Sequence, residues 1–285
     1  MISPLNVATI NHARTKRRAD GTSYQSLAHE DELELARAHG VPAKEVQIAA
    51  LHNEIVPERY CRNQNSLSCN EQISLLTSRV AIIGQGGLGG MVTEILTRIG
   101  VGALTLVDGD SFEESNLNRQ LLSTLDALGD NKAETGRIRA AAINPAVEVE
   151  AVTDFLTREN GHAILAGADL AVDCLDSITS RFILEDACRS LRIPLVSAAI
   201  GGTAGQALVI FPEDTGLRTI YGPPETSLNR GMETRLGTLP YTAVFMAAVE
   251  CAETVSLLCR NSSVLRNTLF VADLEDKSFE KIPLP

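Results

Sequence analysis

The stretch Arg79-Val-Ala-Ile-Ile-Gly-Gln-Gly-Gly-Leu-Gly-Gly90 decides the fold of this chain. Its first part, residues 80–83, is a short apolar run rich in β-branched side chains, which is typical of a strand buried on both faces. The glycines that follow fit G-x-G-x-x-G, which supplies a tight turn, a close backbone approach to phosphate and close packing of a helix on a strand. A helix predicted over residues 91–100 would point its N-terminal N–H groups at that phosphate. The glycines predicted to bind the nucleotide are Gly84, Gly86, Gly87 and Gly89.

Composition limits the class of protein. The chain has 285 residues, of which 44% are hydrophobic, so it can bury one large core with room for small appendages. Its net charge of -11 argues against a broad nucleic-acid surface. We find no apolar run as long as a membrane span and no signal peptide, and therefore expect a cytoplasmic protein without membrane contact. The six cysteines form no C-x-x-C pair, so neither a zinc site nor a disulfide scaffold is predicted.

Three regions are predicted along the chain. Residues 1–22 are polar and lack periodicity, which predicts a flexible tail. Residues 23–57 hold two amphipathic segments, 31–38 and 43–51, which predict a helical N-terminal extension. Residues 58–285 form the main domain.

Strands and helices alternate through the main domain. Strands are predicted over residues 80–83, 103–107, 147–152 and 170–174, with helices over 91–100, 132–143 and 159–166 between them. This order predicts an α/β fold with a doubly wound, mostly parallel, Rossmann-like sheet whose ligands bind outside the carboxyl ends of the strands. Strands 194–198 and 204–211 extend the sheet, the second antiparallel. A long crossing loop over 213–238 and an apolar core helix over 241–258 follow.

Acidic and basic residues gather around the predicted phosphate site. Asp108 follows an apolar strand, about where a Rossmann-type fold places the carboxylate that binds ribose hydroxyls. Gly84, Asp108 and Asp176 all lie at strand ends, so they should converge. A dehydrogenase needs the glycines and one acid, whereas a reaction on a triphosphate also needs cations and a second carboxylate for Mg2+. The residues that supply this set are Asp108, Asn116, Arg119, Lys132, Asp176 and Arg181.

Each of these residues also has a purely structural explanation. Asp108 would then be an acidic turn, Arg119 one half of a surface ion pair, and Lys132 an ordinary helix start. Arg181 would pair with Glu185 on its own helix. The sequence alone leaves these alternatives open.

A series of motifs resembles the ThiF/MoeB/HesA enzymes, bacterial relatives of ubiquitin-activating enzymes, over residues 58–275. The resemblance implies ATP-dependent adenylation of the C-terminal Gly-Gly carboxylate of a small ubiquitin-like sulfur-carrier protein of the ThiS/MoaD kind, with release of pyrophosphate. The motifs are Gly84-x-Gly-Gly-Leu-Gly, Leu106-Val-Asp-Gly-Asp110, Ser115-Asn-Leu-Asn-Arg-Gln120, Gly129-x-x-Lys132, Asn144-Pro145, Asp173-Cys-Leu-Asp176, Arg181 and Pro194-Leu-Val-Ser197.

The same resemblance implies roles for individual residues. Asp108 would hold the ATP ribose, and Asp176 the Mg2+ ion. Arg62, in Arg59-Tyr-Cys-Arg62-Asn-Gln64, matches an Arg-Tyr-x-Arg-Gln element with one residue inserted before the glutamine. In the family that arginine reaches the γ-phosphate of the neighbouring subunit's ATP, which implies a homodimer. The implied phosphate ligands are Asn116, Arg119 and Lys132; Asp110 and Gln120 belong to the same nucleotide-binding motifs; and the implied catalytic residues are Arg62, Arg119, Lys132 and Asp176.

Several features depart from the family pattern. The two C-x-x-C pairs that members commonly carry for structural zinc are missing, so zinc is not expected. No cysteine lies between Cys188 and Cys251, and the position of the crossover-loop cysteine that some relatives use falls near Arg230. We therefore expect adenylation without covalent capture. Ser177 stands where asparagine is usual after the Mg2+ aspartate.

Three other functions stay open on the sequence. A sibling group adenylates a carboxylate on modified tRNA to cyclise it, and shares motifs that resemble residues 116–120 and 176–177. That reaction needs a basic tRNA surface, which a net charge of -11 disfavours. An NAD-dependent oxidoreductase shares the fold but has no use for Arg119, Lys132 and Asp176. A scaffold that binds a carrier protein without ATP is opposed by the intact nucleotide motifs.

Overall fold

The computed structural model describes residues 3–225, 231, 233–260 and 264–285. Its N-terminal part contains three helices and a small sheet, in which the second strand pairs antiparallel with the first and parallel with the third. Leu27, Leu35 and Val46 are buried together and form a core of their own. We call residues 3–57 the N-terminal unit. In chain order its elements are α1 Pro4–His12, β1 Arg14–Arg17, β2 Ser23–Leu27, α2 His29–His39, α3 Ala43–His52 and β3 Ile55–Pro57.

The prediction of a tail without regular structure over residues 1–22 is wrong for the described residues. The Ser3 side chain accepts a hydrogen bond from the backbone N–H of Asn6 and so caps α1, and a proline occupies the first turn. The basic run of β1 pairs with β2 because Gly21, with φ of 86°, turns the chain back as a hairpin. The N-terminal unit is therefore mixed α/β and not helical alone.

The main sheet has eight strands in the order β11-β10-β9-β8-β7-β4-β5-β6. The strands from β4 to β8 run parallel, whereas β9, β10 and β11 are antiparallel to their neighbours. The mostly parallel sheet and the antiparallel strand after β8 are therefore confirmed. The strands are β4 Arg79–Ile83, β5 Ala103–Val107, β6 Glu148–Val152, β7 Leu170–Asp173, β8 Leu195–Gly201, β9 Ala204–Ile210, β10 Thr268–Asp273 and β11 Ser278–Pro283.

Helices cover both faces of this sheet. One face buries residues of α5 and α11, and the other buries residues of α8 and the segment before β7. The sheet is therefore doubly wound, as predicted, and the chain order switches between β4 and β7, where such folds bind ligands. The helices are α4 Cys69–Thr77, α5 Gly87–Ile99, α6 Lys132–Ile143, α7 Gly161–Ile164, α8 Ile178–Leu191, α9 Arg218–Tyr221, α10 Glu233–Leu236 and α11 Pro240–Leu258, with 3-10 turns at Glu58–Tyr60, Glu114–Asn116 and Leu125–Ala127.

Two further segments bear on the predictions. Among the described residues, α11 is the one helix that is long and apolar enough to cross a membrane, so the statement that no run reaches that length needs correction. Met246, Ala247 and Glu250 of α11 are fully buried against α5 and the sheet, as in a core helix. The predicted loop 213–238 contains α9 and α10, and its end is tied to the turn after β8 by a hydrogen bond from Gly202 N to Gly237 O of 2.8 Å. Residues 226–230 and 232, with the predicted cysteine position near Arg230, lie outside the described residues.

The turn after β4 requires glycine for two independent reasons. Gly84 has φ of 94°, and a Cβ placed on it would lie 2.6 Å from the carbonyl oxygen of Cys174, just past β7. Gly89 has no room for a side chain either, because a Cβ there would overlap the Gly84 carbonyl oxygen. These contacts hold the turn, the start of α5 and the end of β7 together.

Gly84→Ala should lower the free energy of unfolding by about 2–5 kcal/mol, because it adds a clash to an unfavourable φ. Gly129 is a matched control: its φ is 91°, yet a Cβ there would meet nothing within 4 Å. Gly129→Ala should therefore lower the free energy of unfolding only by the cost of the unfavourable φ, about 1–2 kcal/mol. Urea unfolding of both variants measures the difference, and equal losses would show that the approach of Cys174 is unimportant.

Candidate active site

A carboxylate joins the loops that follow β4 and β5. Asp108 accepts a hydrogen bond from the backbone N–H of Gln85 at 2.7 Å on Oδ2 and one from Asp110 N at 2.9 Å on Oδ1. Burial raises the pKa of Asp108 above its ordinary value, opposed by these two hydrogen bonds and by Lys132. Asp108 therefore touches the glycine turn directly, and the predicted convergence of these two loops is observed.

Lys132 lies beside this carboxylate at the start of α6. Its ammonium Nζ is 3.2 Å from Asp110 Oδ2, and the residue is only 7% exposed. A buried cation of this kind needs an anionic partner, which Asp110 supplies. The pair places a positive charge next to the Asp108 loop. Lys132 therefore does more than begin α6, because its side chain forms this ion pair.

Asn131 is a member of the site that the sequence analysis missed. Its Nδ2 donates to the carbonyl oxygens of Asp108 at 2.9 Å and Asp110 at 3.1 Å, while its Oδ1 accepts from Glu134 N at 3.0 Å. One side chain thus caps α6 and fixes the loop that presents both carboxylates. An asparagine directly before a predicted helix start is an N-cap signal, and it was available in the sequence.

The segment around Asn116 brings a second cation to the glycines. Asn116 is buried and accepts from Glu113 N at 3.0 Å, so it shapes the turn. Arg119 Nη1 donates to Ser115 O at 3.1 Å and Asn118 Oδ1 at 2.9 Å and has no carboxylate partner among the described residues. The surface ion pair considered for Arg119 is therefore not found among the described residues.

Arg119 and Gln120, which follow Asn116, lie close to the glycine turn. A Cβ on Gly87 would lie 3.8 Å from Arg119 Cγ, and one on Gly86 would lie 3.7 Å from the Gln120 side-chain nitrogen. Gln120 is 6% exposed, and its Oε1 has no hydrogen-bond partner in the described part of the chain. Arg119 and Gln120 thus border the loop at the start of α5.

Asp176 lies beyond the end of β7, three residues after Asp173. The neighbouring Cys174 N donates to Ile83 O at 2.9 Å, which brings the end of β7 beside the glycine turn. Asp176 itself is exposed and forms no ion pair with any described residue. The described residues also contain no group of three or more His, Cys, Asp or Glu side chains that could hold a metal.

Arg181 has a structural role beneath this edge. It donates to Asp173 Oδ2 at 2.8 Å and to Ala198 O at 2.7 Å, and also to Leu175 O. Glu185, the partner considered from the sequence, instead accepts from Arg189 Nη2 at 2.9 Å. Pairing of Arg181 with Glu185 is therefore wrong, and Arg181 ties the turn before Asp176 to β8.

Arg62 is the one predicted catalytic residue that lies away from this cluster. Its neighbours contact the far ends of α5 and α6: Asn63 bonds Gln72, which donates to Ile99 O at 2.8 Å, and Tyr60 bonds Asn144. Both helices begin at the nucleotide loops, and α5 has 13 residues, so their length separates Arg62 from these loops by roughly 18 Å. Arg62 is exposed, and its guanidinium makes no ion pair with a described residue. It does not join the site of its own chain.

Comparison with known proteins identifies the family. A model of the ThiF family matches residues 60–285. The chain belongs to the ThiF family. This confirms the resemblance deduced from the motifs, and the matched range begins just after the N-terminal unit.

Named relatives in this family carry activating and adenylylating activities. The chain is 35% identical over 231 residues to the SAMP-activating enzyme E1 of Haloferax volcanii, which covers 79% of this chain and 84% of that protein. It is 31% identical over 282 residues to the adenylyltransferase and sulfurtransferase MOCS3 of Drosophila yakuba, covering 96% of this chain but only 61% of MOCS3. These relatives confirm the predicted enzyme class, an ATP-dependent adenylyltransferase.

Solved structures support the fold of this ThiF-family chain. E. coli MccB with ATP superposes with a TM-score of 0.69 at 20% identity, over 90% of this chain and 79% of that chain. The E. coli tRNA N6-threonylcarbamoyladenosine dehydratase TcdA with ATP gives a TM-score of 0.61 at 23% identity, over 72% of this chain and 95% of that chain. At these identities the likeness shows the fold alone.

Behind the ThiF-family site lies a buried carboxyl that the sequence analysis did not single out. Glu250 of α11 is fully buried, and its Oε2 is 3.9 Å from Cys174 Sγ. Burial and the nearby Asp173 raise the pKa of Glu250 well above its ordinary 4.5, opposed by Arg181. Burial therefore favours the protonated form of Glu250 in the folded protein. A glutamate inside an apolar helix pattern was the available signal.

Glu250→Gln should stabilise the protein more as the pH rises. Above pH 4.5 the unfolded chain loses the Glu250 proton while the folded chain keeps it, so the wild type loses up to about 1.4 kcal/mol per pH unit from this group. The variant lacks this loss, so its advantage should grow with pH from 5 towards 8. Urea unfolding across that range tests the slope, and a constant difference at every pH would contradict the raised pKa of Glu250.

Proposed function

We propose that this chain uses ATP to adenylate the C-terminal Gly-Gly carboxylate of a small ubiquitin-like sulfur-carrier protein of the ThiS/MoaD kind. The observation that carries the proposal is the contact chain from Lys132 through Asp110 and Asp108 to the glycine turn, with Arg119 beside it. Two cations at a phosphate loop suit a triphosphate reaction, whereas a dehydrogenase has no need of them.

The proposed reaction needs no general base. A protein C-terminal carboxylate has a reference pKa of about 3.3–3.7, so it is ionised and nucleophilic at neutral pH. The chain must align it with the α-phosphorus and reduce the repulsion between two anions. Attack forms the acyl-phosphate bond and releases pyrophosphate.

The residues of the site have separate tasks in this scheme. Backbone N–H groups at the start of α5 and the Arg119 guanidinium bind phosphate oxygens. Lys132 shifts from its contact with Asp110 towards the charge that develops on the leaving pyrophosphate. Asp108 accepts hydrogen bonds from the ribose hydroxyls while its backbone bonds hold it in place. Asn116 and Gln120 line the same loop as further polar ligands.

Asp176 suits the role of the magnesium ligand. Its carboxylate is exposed, unpaired among the described residues, and close in sequence to the contact between Cys174 and the glycine turn. A bound Mg2+ would neutralise phosphate charge and help to orient the triphosphate. The loop 213–238 begins at the opposite edge of the sheet, where β9 ends, and finishes beside Gly202 at this edge, and it is the proposed cover for the carrier's C-terminal tail.

We also propose a homodimer in which Arg62 acts on the partner's nucleotide. The length of α5 and α6 separates Arg62 from the phosphates of its own chain, and its side chain is exposed. An exposed arginine with no ion-pair partner in the described residues is suited to bind a phosphate supplied by another subunit.

Arg119→Ala and Asp176→Ala should each lower ATP–pyrophosphate exchange, stimulated by a Gly-Gly-ended carrier, by about 10²-fold or more. The reason is loss of charge stabilisation at the phosphates with little change in the fold. Arg158 and Asp186 form an exposed ion pair of 3.1 Å on the outer side of α8 and provide the matched controls. Arg158→Ala and Asp186→Ala should exchange at the wild-type rate.

The same assay separates the other candidate functions. TcdA shares this fold, so a tRNA-directed adenylation is the second candidate. Exchange stimulated by tRNA and not by a Gly-Gly-ended protein would overturn the proposed substrate. Binding of NAD without any exchange would overturn adenylation itself.

Arg62→Ala and Lys132→Ala should each be nearly inactive alone and regain activity when combined in one dimer. The mixed dimer contains one site with an intact Lys132 from one subunit and an intact Arg62 from the other. Co-expression with two different tags isolates this dimer, whose expected exchange activity is roughly half that of the wild type, since one of its two sites is competent. An inactive mixed dimer would show that Arg62 does not act across subunits.

A further inference from the structure

We propose that Glu58 is a positioning residue through which the N-terminal unit fixes Arg62 for the partner's ATP. The inference rests on the proposed function, because it needs Arg62 to act across the dimer. It assigns a task to the N-terminal unit, which precedes the range matched by the family model.

The Glu58 carboxylate collects three donors from the small sheet. Ser26 Oγ donates to its Oε2, Tyr24 Oη lies 3.3 Å from the same atom, and Lys16 Nζ lies 3.0 Å from Oε1. Burial raises the pKa of Glu58, but the bonds from Ser26 and Lys16 outweigh it and hold that pKa below 4.5. The carboxylate is therefore charged at neutral pH and binds β1 and β2 through charge-assisted hydrogen bonds.

The next two residues attach the same turn to the main domain. Arg59 Nη1 donates to the carbonyl oxygen of Ile143, the last residue of α6, at 3.2 Å. Tyr60 is fully buried, donates to Gln47 Oε1 at 3.3 Å and accepts from Asn144 Nδ2 at 3.0 Å. Gly100 leaves the space that the Tyr60 hydroxyl occupies. The turn is thus clamped between the N-terminal unit and the C-terminal ends of α5 and α6.

Hydrogen bonds also fix the chain that follows Arg62. Asn63 N donates to Tyr60 O at 2.9 Å, Asn63 Nδ2 donates to Gln72 Oε1 at 3.2 Å, and Leu67 N donates to Asn63 O at 2.8 Å. The backbone on both sides of Arg62 is therefore fixed while its guanidinium stays exposed. An arginine whose backbone is already fixed and whose guanidinium is exposed loses little conformational freedom when it binds phosphate.

A second contact between the N-terminal unit and the main domain provides a control. Lys44 of α3 pairs with Glu148 of β6 at 2.7 Å. This ion pair also fastens the N-terminal unit, but it makes none of the contacts that hold the turn at residues 58–63. Lys44→Ala therefore loosens docking without acting on Arg62 directly.

Glu58→Ala should lower carrier-stimulated exchange by roughly 10-fold to 10²-fold, because a small displacement of a charged group is enough for such a loss. Lys44→Ala should keep at least half of the wild-type rate. The double variant Glu58→Ala with Arg62→Ala should be no slower than Arg62→Ala alone, since the two residues act through one contact. Glu58→Gln, which keeps the acceptor but not the charge, should lie between the wild type and Glu58→Ala.

Mixed dimers distinguish positioning in trans from general damage. In a dimer of Glu58→Ala and Lys132→Ala subunits, one site combines an intact Lys132 with an Arg62 whose own Glu58 is intact. Activity should return to roughly half of the wild type, as in the pair of Arg62→Ala and Lys132→Ala. If the Arg62 pair regains activity and the Glu58 pair does not, Glu58 acts within its own subunit and the inference is wrong. If neither pair regains activity, the action of Arg62 across subunits is wrong instead.

Discussion

The close approach of two backbones, at Gly84 and Cys174, is the constraint on which the rest of the structure depends. A Cβ at Gly84 would lie 2.6 Å from the Cys174 carbonyl, so β4 and β7 can pair to their ends only if this position is glycine. The strand order switches between β4 and β7, and folds of this kind have a crevice there, at the carboxyl ends of the strands. The start of α5 lies at this crevice. Asp108 and Asp176 follow strands on either side of β4, and they reach one edge for the same reason.

The same helices that begin at this crevice separate it from the N-terminal unit. At 1.5 Å per residue, the 13 residues of α5 carry the chain roughly 18 Å away from the glycine turn. Gln72 contacts the end of α5, and Tyr60 contacts the chain just past the end of α6. A group fixed at that end would reach a phosphate only on another molecule, so the length of the two helices supports the proposed dimer.

Local spacing accounts for what the sequence predicted well. The glycine turn, the acid after β5 and the lysine at the start of α6 each depend on a few neighbouring residues, and all three lie where expected. The small sheet of the N-terminal unit was missed because its basic strand carries no apolar alternation, and it forms through pairing and the turn at Gly21. The partner of Arg181 was missed for another reason: Asp173 and Ala198 belong to different strands that only the folded sheet brings together. Long-range contacts of this kind leave no periodic trace in one sequence.

Three carboxylates around a triphosphate would repel it if they were equivalent, and the structure gives each a different environment. Asp108 has both oxygens engaged by backbone N–H groups, and Asp110 is paired with Lys132. Asp176 is exposed, as Asp110 is, but it has no ion-pair partner among the described residues. Under the proposed function, an incoming phosphate would compete with Asp110 for one cation and would meet Arg119 without displacing a described carboxylate. Asp176 would then be the acid best suited to a divalent cation, whose charge would offset that of the nucleotide.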